Sequence, residues 1–269
     1  MSTSGNGDGI GIQPDEGVLR ITLDRPARKN SLDPVAIRRI IVALESAAAD
    51  DSLRAVLLTG AGGDFCSGAD WVASNAAGGA RPRVGNLQRR TAMQAHRLID
   101  VIMGIQLPVV CSVRGWAAGL GCQIALAADF TIAADDSRFW EPFVQRGFSP
   151  DSGATWLATR LVGVARAKEL LLLGRELTGR EAAEWGLIHR AVPEADLAAE
   201  TGALVDRLAH AATVAVGLTK RCINQAMSAG LTEAMESEAF ALELSSRTSD
   251  FKEGLQAFKE RRPARFEGR

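Results

Sequence analysis

Two glycine-rich turns carry the groups in this sequence that are best suited to chemistry. Each follows an apolar, strand-like run: FCSGAD (65–70) comes after RAVLLTG, and AAGLGC (117–122) comes after VVCSVRG. A strand that enters a helix through glycines leaves backbone N–H groups free to face a ligand. Such groups bind a phosphate, or they hold an oxygen that becomes negative during a reaction. If the two strands are parallel, the amides of Ala69 and Leu120 lie at one edge of the sheet and can face one ligand atom.

The glycines also have a purely structural explanation. They can make tight turns and allow close packing, and for either turn taken alone that explanation is the stronger one. The second turn does not match a dinucleotide-binding motif, because GLGCQI has only the pattern G-x-G and lacks the third glycine. Two convergent amides would instead form an oxyanion hole, in which each donor lowers the barrier by roughly 3–4 kcal/mol.

Composition and charge exclude several classes of function. The chain has 269 residues, of which 46% are apolar, and its net charge of −1 gives no indication of a nucleic-acid partner. We find no apolar run near the roughly 18 residues that span a bilayer and no secretion signal, so we expect no membrane partner and a cytoplasmic location. The four cysteines form no C-x-x-C pair and the three histidines have no metal-ligand spacing, so we expect reduced thiols and no metal site.

The hydrophobic periodicity predicts an α/β fold that becomes wholly helical near its C-terminus. Asp33 is expected to cap a helix that runs to about Asp50. Residues 1–16 are rich in glycine, serine and polar residues, which predicts a flexible N-terminal tail. Strands are expected at Val18–Asp24, Arg54–Gly60, Val109–Val113, Phe130–Ala133 and Leu187–Val192.

Six segments in order resemble the crotonase (enoyl-CoA hydratase/isomerase) superfamily. They are LDRPARKNSLD, FCSGAD, GWAAGLGCQIALAADF, FWEPFVQRGFSPDSGATWLATRLVG, RELTGREAAEWGLIHRAV and FKEGLQAFKERRPARF. Together they cover roughly Val18 to Phe266. The resemblance implies a crotonase-like ββα spiral core over residues 17–193. It also implies a helical C-terminal subdomain over residues 194–269, which serves in trimerisation and in closing the CoA pocket, and therefore a homotrimer or a dimer of trimers.

The resemblance also implies which residues form the site. The backbone N–H groups of Ala69 and Leu120 would hold the thioester oxygen of an acyl-CoA, which is then the substrate, and no covalently bound cofactor is implied. The loop at Arg28 and Lys29 would lie near the nucleotide end of CoA. The full set of implied substrate- and CoA-binding residues is Arg28, Lys29, Ser67, Gly68, Asp70, Trp71, Val72, Gly119, Phe143, Phe258 and Lys259.

The sequence departs from the superfamily at two positions that its hydratases use. In those enzymes two glutamates place a water molecule and move its proton. Here Gln123 stands at the first position, and Phe143, after Pro142, stands at the second. A glutamine cannot act as a general base and a phenylalanine cannot bind water, so these residues argue against ordinary addition of water to a double bond.

With both of those glutamates replaced, Asp151, in FSPDSGATW, is an acidic residue that could still serve as the acid or base. Its position resembles that of the acid/base aspartate of certain enoyl-CoA isomerases, including phenylacetate-pathway enzymes, and of the nucleophile of 4-chlorobenzoyl-CoA dehalogenase. One carboxylate suffices for isomerisation, because the same group can take a proton from one carbon and return it to another. We expect aromatic rings to raise its pKa by desolvation, namely those of Trp140, Phe143, Phe148 and Trp156.

Other interpretations of these residues remain open. Asp151 or Ser152 could simply cap the helix that follows, and Arg146 could pair with Asp151 and lower its pKa. Glu141 is a second candidate acid or base, which in an extended segment would face the same side as the usual glutamate. Its structural alternative is a solvated or salt-bridged loop carboxylate. His96 is expected to be an ordinary helix-face residue.

Four functions therefore compete. The favoured one is double-bond isomerisation of an enoyl-CoA through a thioester enolate, with Asp151 as acid/base. The others are hydration with Glu141 or Asp151 placing the water, dehalogenase-like attack by Asp151 on an aryl-CoA ring, and non-catalytic binding of acyl-CoA. A local cluster of basic side chains could bind the phosphates of CoA, or it could simply face solvent. The cluster comprises Arg81, Arg83, Arg89 and Arg90.

Overall fold

A six-stranded sheet forms the base of the computed structural model, which describes residues 9–70 and 83–269. In this sheet the strand order is β1-β2-β3-β4-β6-β9, and a second sheet has the order β5-β7-β8. The strands are β1 Ile10–Asp15, β2 Val18–Leu23, β3 Ala55–Gly60, β4 Val109–Val113, β5 Trp116–Ala118, β6 Phe130–Ala134, β7 Arg138–Trp140, β8 Leu177–Thr178 and β9 Arg190–Val192.

Helices connect and cover these strands, and the last part of the chain is helical, as the sequence predicted. The helices are α1 Pro34–Ala48, α2 Asn86–Thr91, α3 Arg97–Gly104, α4 Leu120–Ala127, α5 Ala154–Leu172, α6 Gly179–Trp185, α7 Glu194–Ala209, α8 Thr213–Ala226, α9 Leu231–Ser245 and α10 Ser249–Glu260. Short 3-10 turns occupy Pro26–Arg28 and Val144–Arg146. Within the described residues, no helix is both long and apolar enough to cross a lipid bilayer.

The first strand is a difference from the sequence-based prediction. Residues 1–16 were expected to form a flexible tail, but Ile10–Asp15 pair antiparallel with β2 over its whole length. The connection is the two-residue turn of Glu16 and Gly17, whose φ angles are 47° and 79°. This is the backbone that favours a tight hairpin, and Ile10 is buried against the core. The polar composition concealed the strand because its outer residues face solvent.

Parallel pairing of β3 and β4 places the two glycine turns at the same edge of the sheet. The register pairs Val56 with Val109 and Thr59 with Ser112. The expectation that both turns lie at one edge required these two strands to be parallel, and they are parallel. The carboxyl edge of this sheet is therefore where the candidate site has to be sought.

The helices that flank this edge begin and bend at identifiable residues. Asp33 caps α1, because its side chain accepts hydrogen bonds from the amides of Val35 and Ala36, as predicted. A π-helical segment at Ala92–His96 separates α2 from α3. Such wide turns often occur at functional sites, and this one borders the cavity described below.

A buried ion pair anchors the C-terminal helices to the core. The ammonium group of Lys220, on α8, donates to the carbonyl groups of Ile102 and Leu107 at 2.9 and 3.1 Å and to Asp129 Oδ2 at 2.7 Å. Burial lowers the pKa of Lys220 and raises that of Asp129, because removal from water opposes both charges more strongly than the pairing favours them.

Candidate active site

Backbone hydrogen bonds hold the two glycine turns side by side. The amide of Cys66 donates to Trp116 O at 2.8 Å, and the amide of Ala118 donates to Cys66 O at 2.9 Å. Gly121 lies so close to Cys66 that a Cβ atom there would collide with the Cys66 carbonyl group. A larger residue at this position would push α4 away from the first turn, so glycine is required by close approach rather than by flexibility.

The amides of Ala69 and Leu120 lie on these two adjacent turns. Leu32 bonds to the carbonyl group of Gly68 and to the amide of Asp70, at 2.9 and 2.8 Å, so the Ala69 amide faces away from Leu32. Leu120 is the first residue of α4, where the backbone amide has no partner within its helix. Within residues 9–70 and 83–269, neither amide makes a hydrogen bond.

These two residues line one cavity of about 540 Å³. Its wall includes the following residues that the sequence singled out for the site: Ser67, Gly68, Ala69, Asp70, Gly119, Leu120, Phe143 and Asp151. Arg83, Arg90 and Arg146 also line it. Arg81 lies outside the described residues. The structure thus brings the predicted oxyanion amides and the predicted acid/base together around one space.

The environment of Asp151 suits a carboxylate that accepts a proton. Burial raises the pKa of its carboxyl group, and the hydroxyl of Ser152 and the charge of His96 offset part of that rise. The helix-cap explanation does not apply to the side chain: Gly153 is the N-cap residue of α5, and no side chain of the described residues caps that helix.

Arg146, which could have lowered the pKa of Asp151, forms no ion pair with it in the described residues. The guanidinium of Arg146 lies 5.6 Å from the centroid of the Trp140 ring. In the part of the chain that the structure describes, no ion pair involves Asp151. The pKa of the candidate base is therefore raised by burial, and Ser152 and His96 offset part of that rise.

Two of the four expected aromatic rings line the cavity with Asp151. Phe143 and Phe148 pack edge to face, with ring centroids 5.4 Å apart. Trp140 instead donates through Nε1 to Gly174 O at 3.0 Å, and Trp156 packs under Arg160. Of the four expected aromatic rings, the two phenylalanines line the cavity and the two tryptophans do not.

Comparisons with known proteins agree with this geometry. Residues 13–269 match the family model described as enoyl-CoA hydratase/isomerase. This chain belongs to the enoyl-CoA hydratase/isomerase family. It is 36% identical to the 1,2-epoxyphenylacetyl-CoA isomerase of Escherichia coli K12 over 95% of this chain and 97% of that protein. It is 30% identical to the crotonyl-CoA hydratase of Syntrophomonas wolfei, over 96% and 98% respectively. A crystal structure of enoyl-CoA hydratase from Bacillus anthracis superposes with a TM-score of 0.89 at 30% identity, covering 97% of this chain and 100% of that one.

Gln123 and Glu141 form a buried pair in this member of the enoyl-CoA hydratase/isomerase family. Gln123 Nε2 donates to Glu141 Oε2 at 3.3 Å, and Glu141 is only 1% exposed. Neither residue is among those that line the cavity, so Glu141 does not face the same space as the usual glutamate position. Burial is the main cause that raises the pKa of Glu141 well above its ordinary value, and the negative charge of Asp151 adds to the rise.

The residues expected near the nucleotide end of CoA form a charged network beside the cavity. Arg28 and Arg25 lie 3.1 and 3.6 Å from Asp70 Oδ2. Lys29 lies 3.9 Å from Asp64. Neither Arg28 nor Lys29 lines the cavity itself, although both keep exposed side chains. Trp71 and Val72, which were also expected to bind substrate, lie outside the described residues.

The two C-terminal residues expected to complete the pocket do not line this chain's own cavity. Phe258, on α10, is 86% exposed, and Lys259 beside it is exposed as well. An aromatic side chain this exposed leaves a large apolar surface in water, which is unfavourable in an isolated chain.

A larger cavity, of about 1260 Å³, lies on another face of this family member, between α3, α8 and the C-terminal residues. Neither free amide lines it, and Lys220 is already bonded within its wall. In the described residues there is no group of three or more histidine, cysteine, aspartate or glutamate side chains that could hold a metal ion.

Proposed function

We propose that this enoyl-CoA hydratase/isomerase family member moves the double bond of an enoyl-CoA, with Asp151 as acid and base. The main support is that Asp151 and the two unbonded amides, of Ala69 and Leu120, line one cavity. The isomerase from Escherichia coli, 36% identical, also supports this direction. The substrate proposed is the CoA thioester itself, with no additional cofactor.

The reaction follows from the chemistry of these groups. The Asp151 carboxylate takes a proton from a carbon beside the thioester or its double bond, and the electrons of that C–H bond move into an enolate. The negative charge that develops on the thioester oxygen is held by the amides of Ala69 and Leu120, each of which lowers the barrier by roughly 3–4 kcal/mol. Asp151 then returns the proton to another carbon, which shifts the double bond and restores the carboxylate.

The second acidic residue of the cavity wall is a poor candidate for this role. Asp70 forms ion pairs with Arg25 and Arg28, so its carboxylate is already engaged by two guanidinium groups. The same contact fixes the end of the first glycine turn. We infer that Asp70 holds the Ala69 amide in place, whereas Asp151 moves the proton.

The oligomer belongs to the same proposal. Large apolar side chains on α9 and α10 are exposed in the single chain, among them Met235, Phe240, Leu255 and Phe258. We propose that a homotrimer, or a dimer of trimers, covers them and that Phe258 and Lys259 close the cavity of a neighbouring subunit. Sedimentation of the native protein tests this proposal, because a monomer at micromolar concentration would contradict it.

Solvent deuterium tests the isomerase proposal. The native protein is incubated in D₂O with 3-enoyl-CoA substrates of several chain lengths, and label is followed at the α- and γ-carbons. Isomerisation with label at these positions is expected, together with a loss of about 10²-fold or more in Asp151→Asn, since the amide cannot accept the proton. Absence of isomerisation in the native protein, or an unchanged rate in Asp151→Asn, would contradict the proposal.

The alternatives give different outcomes with the same preparation. Hydration of crotonyl-CoA that disappears in Glu141→Gln would favour a hydratase, as the 30% identical Syntrophomonas wolfei relative is named. A covalent Asp151 adduct with a haloaryl-CoA would indicate dehalogenase-like attack. Tight binding of CoA esters with no turnover would indicate an acyl-CoA binder.

A further inference from the structure

Asn30 is a polar residue that is almost completely buried, in the loop between β2 and α1. Only 1% of it is exposed, and its φ angle of 54° lies in the left-handed region. Asparagine occurs there several-fold more often than most residues with a side chain, although the conformation is still uncommon. Asn30 does not line the cavity of the candidate active site, so contact with the substrate does not explain why it is buried.

The Asn30 side chain uses both its donors and its acceptor in hydrogen bonds to the backbone. Its Nδ2 donates to Ala61 O at 2.9 Å and to Asp64 O at 2.6 Å, and its Oδ1 accepts from the Arg25 amide at 2.8 Å. These partners fix the orientation of the side-chain amide, because a carbonyl oxygen only accepts and a backbone N–H only donates. The side chain therefore joins its own loop to residues 61–64, which lead into the first glycine turn.

The loop around Asn30 is in turn bonded to the glycine turn that carries Ala69. Lys29 and Leu32 form three backbone hydrogen bonds of 2.8–2.9 Å with residues 67–70. These bonds involve the backbone groups of residues 67, 68 and 70, and within the described residues they leave the Ala69 amide without a partner. The position of the Ala69 amide thus depends on where this loop lies, and the Asn30 side chain helps to hold the loop.

Asp64 extends the same connection to the second glycine turn. Its backbone carbonyl group accepts from Asn30, while its side-chain Oδ1 accepts from the Trp116 amide at 2.9 Å. Trp116 is the first residue of β5, and this strand ends at Ala118, two residues before Leu120. Asn30 is therefore bonded, directly or through Asp64, to the segments that carry both oxyanion amides.

We propose that Asn30 is a positioning residue, which holds the Ala69 and Leu120 amides at the spacing that one thioester oxygen requires. The inference rests on the proposed function, in which these two amides stabilise the enolate. Asn30 does not line the cavity, so it acts on the substrate only through these backbone groups. Without its side chain, the loop and residues 61–64 lose the bonds that join them and can move apart. A displacement of catalytic groups by about 1 Å is enough to lower a rate by about 10²-fold.

Two substitutions separate the hydrogen bonds of Asn30 from its backbone conformation. Glycine adopts a φ angle of 54° without strain, so Asn30→Gly removes the side-chain bonds and keeps the left-handed backbone. Asn30→Asp keeps the size of the side chain and its acceptor but loses both donors. In both variants kcat should fall by about 10- to 10²-fold while KM stays within about threefold of the native value, because the amides act on charge that develops only in the transition state. A kcat of Asn30→Gly equal to the native value would overturn the proposal.

Glu16→Gly is the matched control for these measurements. Glu16 is left-handed as well, with a φ angle of 47°, but it is exposed in the hairpin between β1 and β2 and does not line the cavity. Its kcat and KM should equal the native values. Urea unfolding of the variants gives the folded fraction under assay conditions, so that kcat is compared per folded molecule. A loss of kcat in Glu16→Gly as large as that in Asn30→Gly would overturn the assignment of the effect to the active site.

The infrared carbonyl band of bound butyryl-CoA, labelled with carbon-13 at the thioester carbon, tests the position of the amides without turnover. This saturated thioester has no double bond to move, and hydrogen bonds from two amides lower its C=O stretching frequency. The band should lie lower in the native protein and in Glu16→Gly than in water, and it should lie closer to its position in water in both Asn30 variants. Identical band positions in the native protein and both Asn30 variants would overturn the inference.

The same band separates this inference from the proposed function. A lowered band in the native protein, with no isomerisation of any 3-enoyl-CoA, would refute the proposed function and leave the role of Asn30 standing. A native band that is not lowered at all would refute the oxyanion role of the two amides and, with it, the inference.

Discussion

A methyl group placed on Gly68 would lie 3.3 Å from the amide nitrogen of Leu120 and 2.7 Å from the carbonyl oxygen of Ala118. Gly68 itself has a φ angle of 97°, which side chains other than glycine's hydrogen rarely allow. The backbone of the first glycine turn at Gly68 therefore packs directly against the second turn, beside the amide of Leu120. The spacing of the two oxyanion donors depends on the absence of a side chain at this residue.

The first prediction concerns this contact. Gly68→Ala should lower kcat by about 10²–10³-fold, the loss typical of removing an oxyanion donor, because the added carbon displaces the turn that carries the Ala69 or Leu120 amide. Gly63→Ala is the matched control, since a Cβ there meets no atom within 4 Å. Steady-state kinetics measure the effect, and equal activity of the two variants would contradict the assignment of the amides.

The second prediction concerns the acidic limb of the pH–rate profile. Burial raises the pKa of Asp151, and a base works only when it is deprotonated, so activity should fall at a pH above the range where an ordinary aspartate titrates. The positive charge of His96 opposes that rise. His96→Gln should therefore move the acidic limb to still higher pH, because one charge that favours the carboxylate is lost.

His210→Gln is the control for this measurement. His210 is exposed and pairs with Asp206 on α7, and it does not line the cavity. The profile of kcat/KM against pH should shift for the His96 variant and remain unchanged for the His210 variant. A shift of the His96 variant towards lower pH would show that His96 does not act on Asp151 through its charge.

The third prediction concerns the attachment of the C-terminal helices. Lys220→Met should lower the free energy of unfolding by about 3–5 kcal/mol, because it removes three hydrogen bonds and leaves the Asp129 carboxyl buried without its partner. Arg221→Met, on the same helix, serves as the control. Urea unfolding of the two variants gives the comparison, and equal midpoints would mean that the ion pair does not anchor α8.

Much of the site could be predicted from the sequence because it is made of backbone. Glycines at 68 and 121 mark places where no side chain fits, and the glycine at 119 has a positive φ angle. The apolar runs before them indicate strands. The aspartate at 151 was found through its position in a recognisable segment. Each of these features depends on residues that are close together in the chain, so it can be predicted from the sequence.

Features that depend on contacts between distant segments could not be predicted in the same way. Glu141 was a candidate acid or base, with a solvated or salt-bridged loop carboxylate as the alternative, yet it is buried and bonded to Gln123 on another element. An ion pair of Arg146 with Asp151 was an open alternative, but the Arg146 guanidinium lies over the Trp140 ring. The N-terminal strand was missed because pairing with β2, rather than its own composition, makes Ile10–Asp15 a strand.

A crystal structure with a bound enoyl-CoA or a non-reactive analogue tests the central claim most directly. We expect the thioester oxygen to lie about 3 Å from the amide nitrogens of both Ala69 and Leu120, with a reacting carbon within reach of the Asp151 carboxylate. A thioester oxygen bonded elsewhere, with these two amides facing solvent, would contradict it.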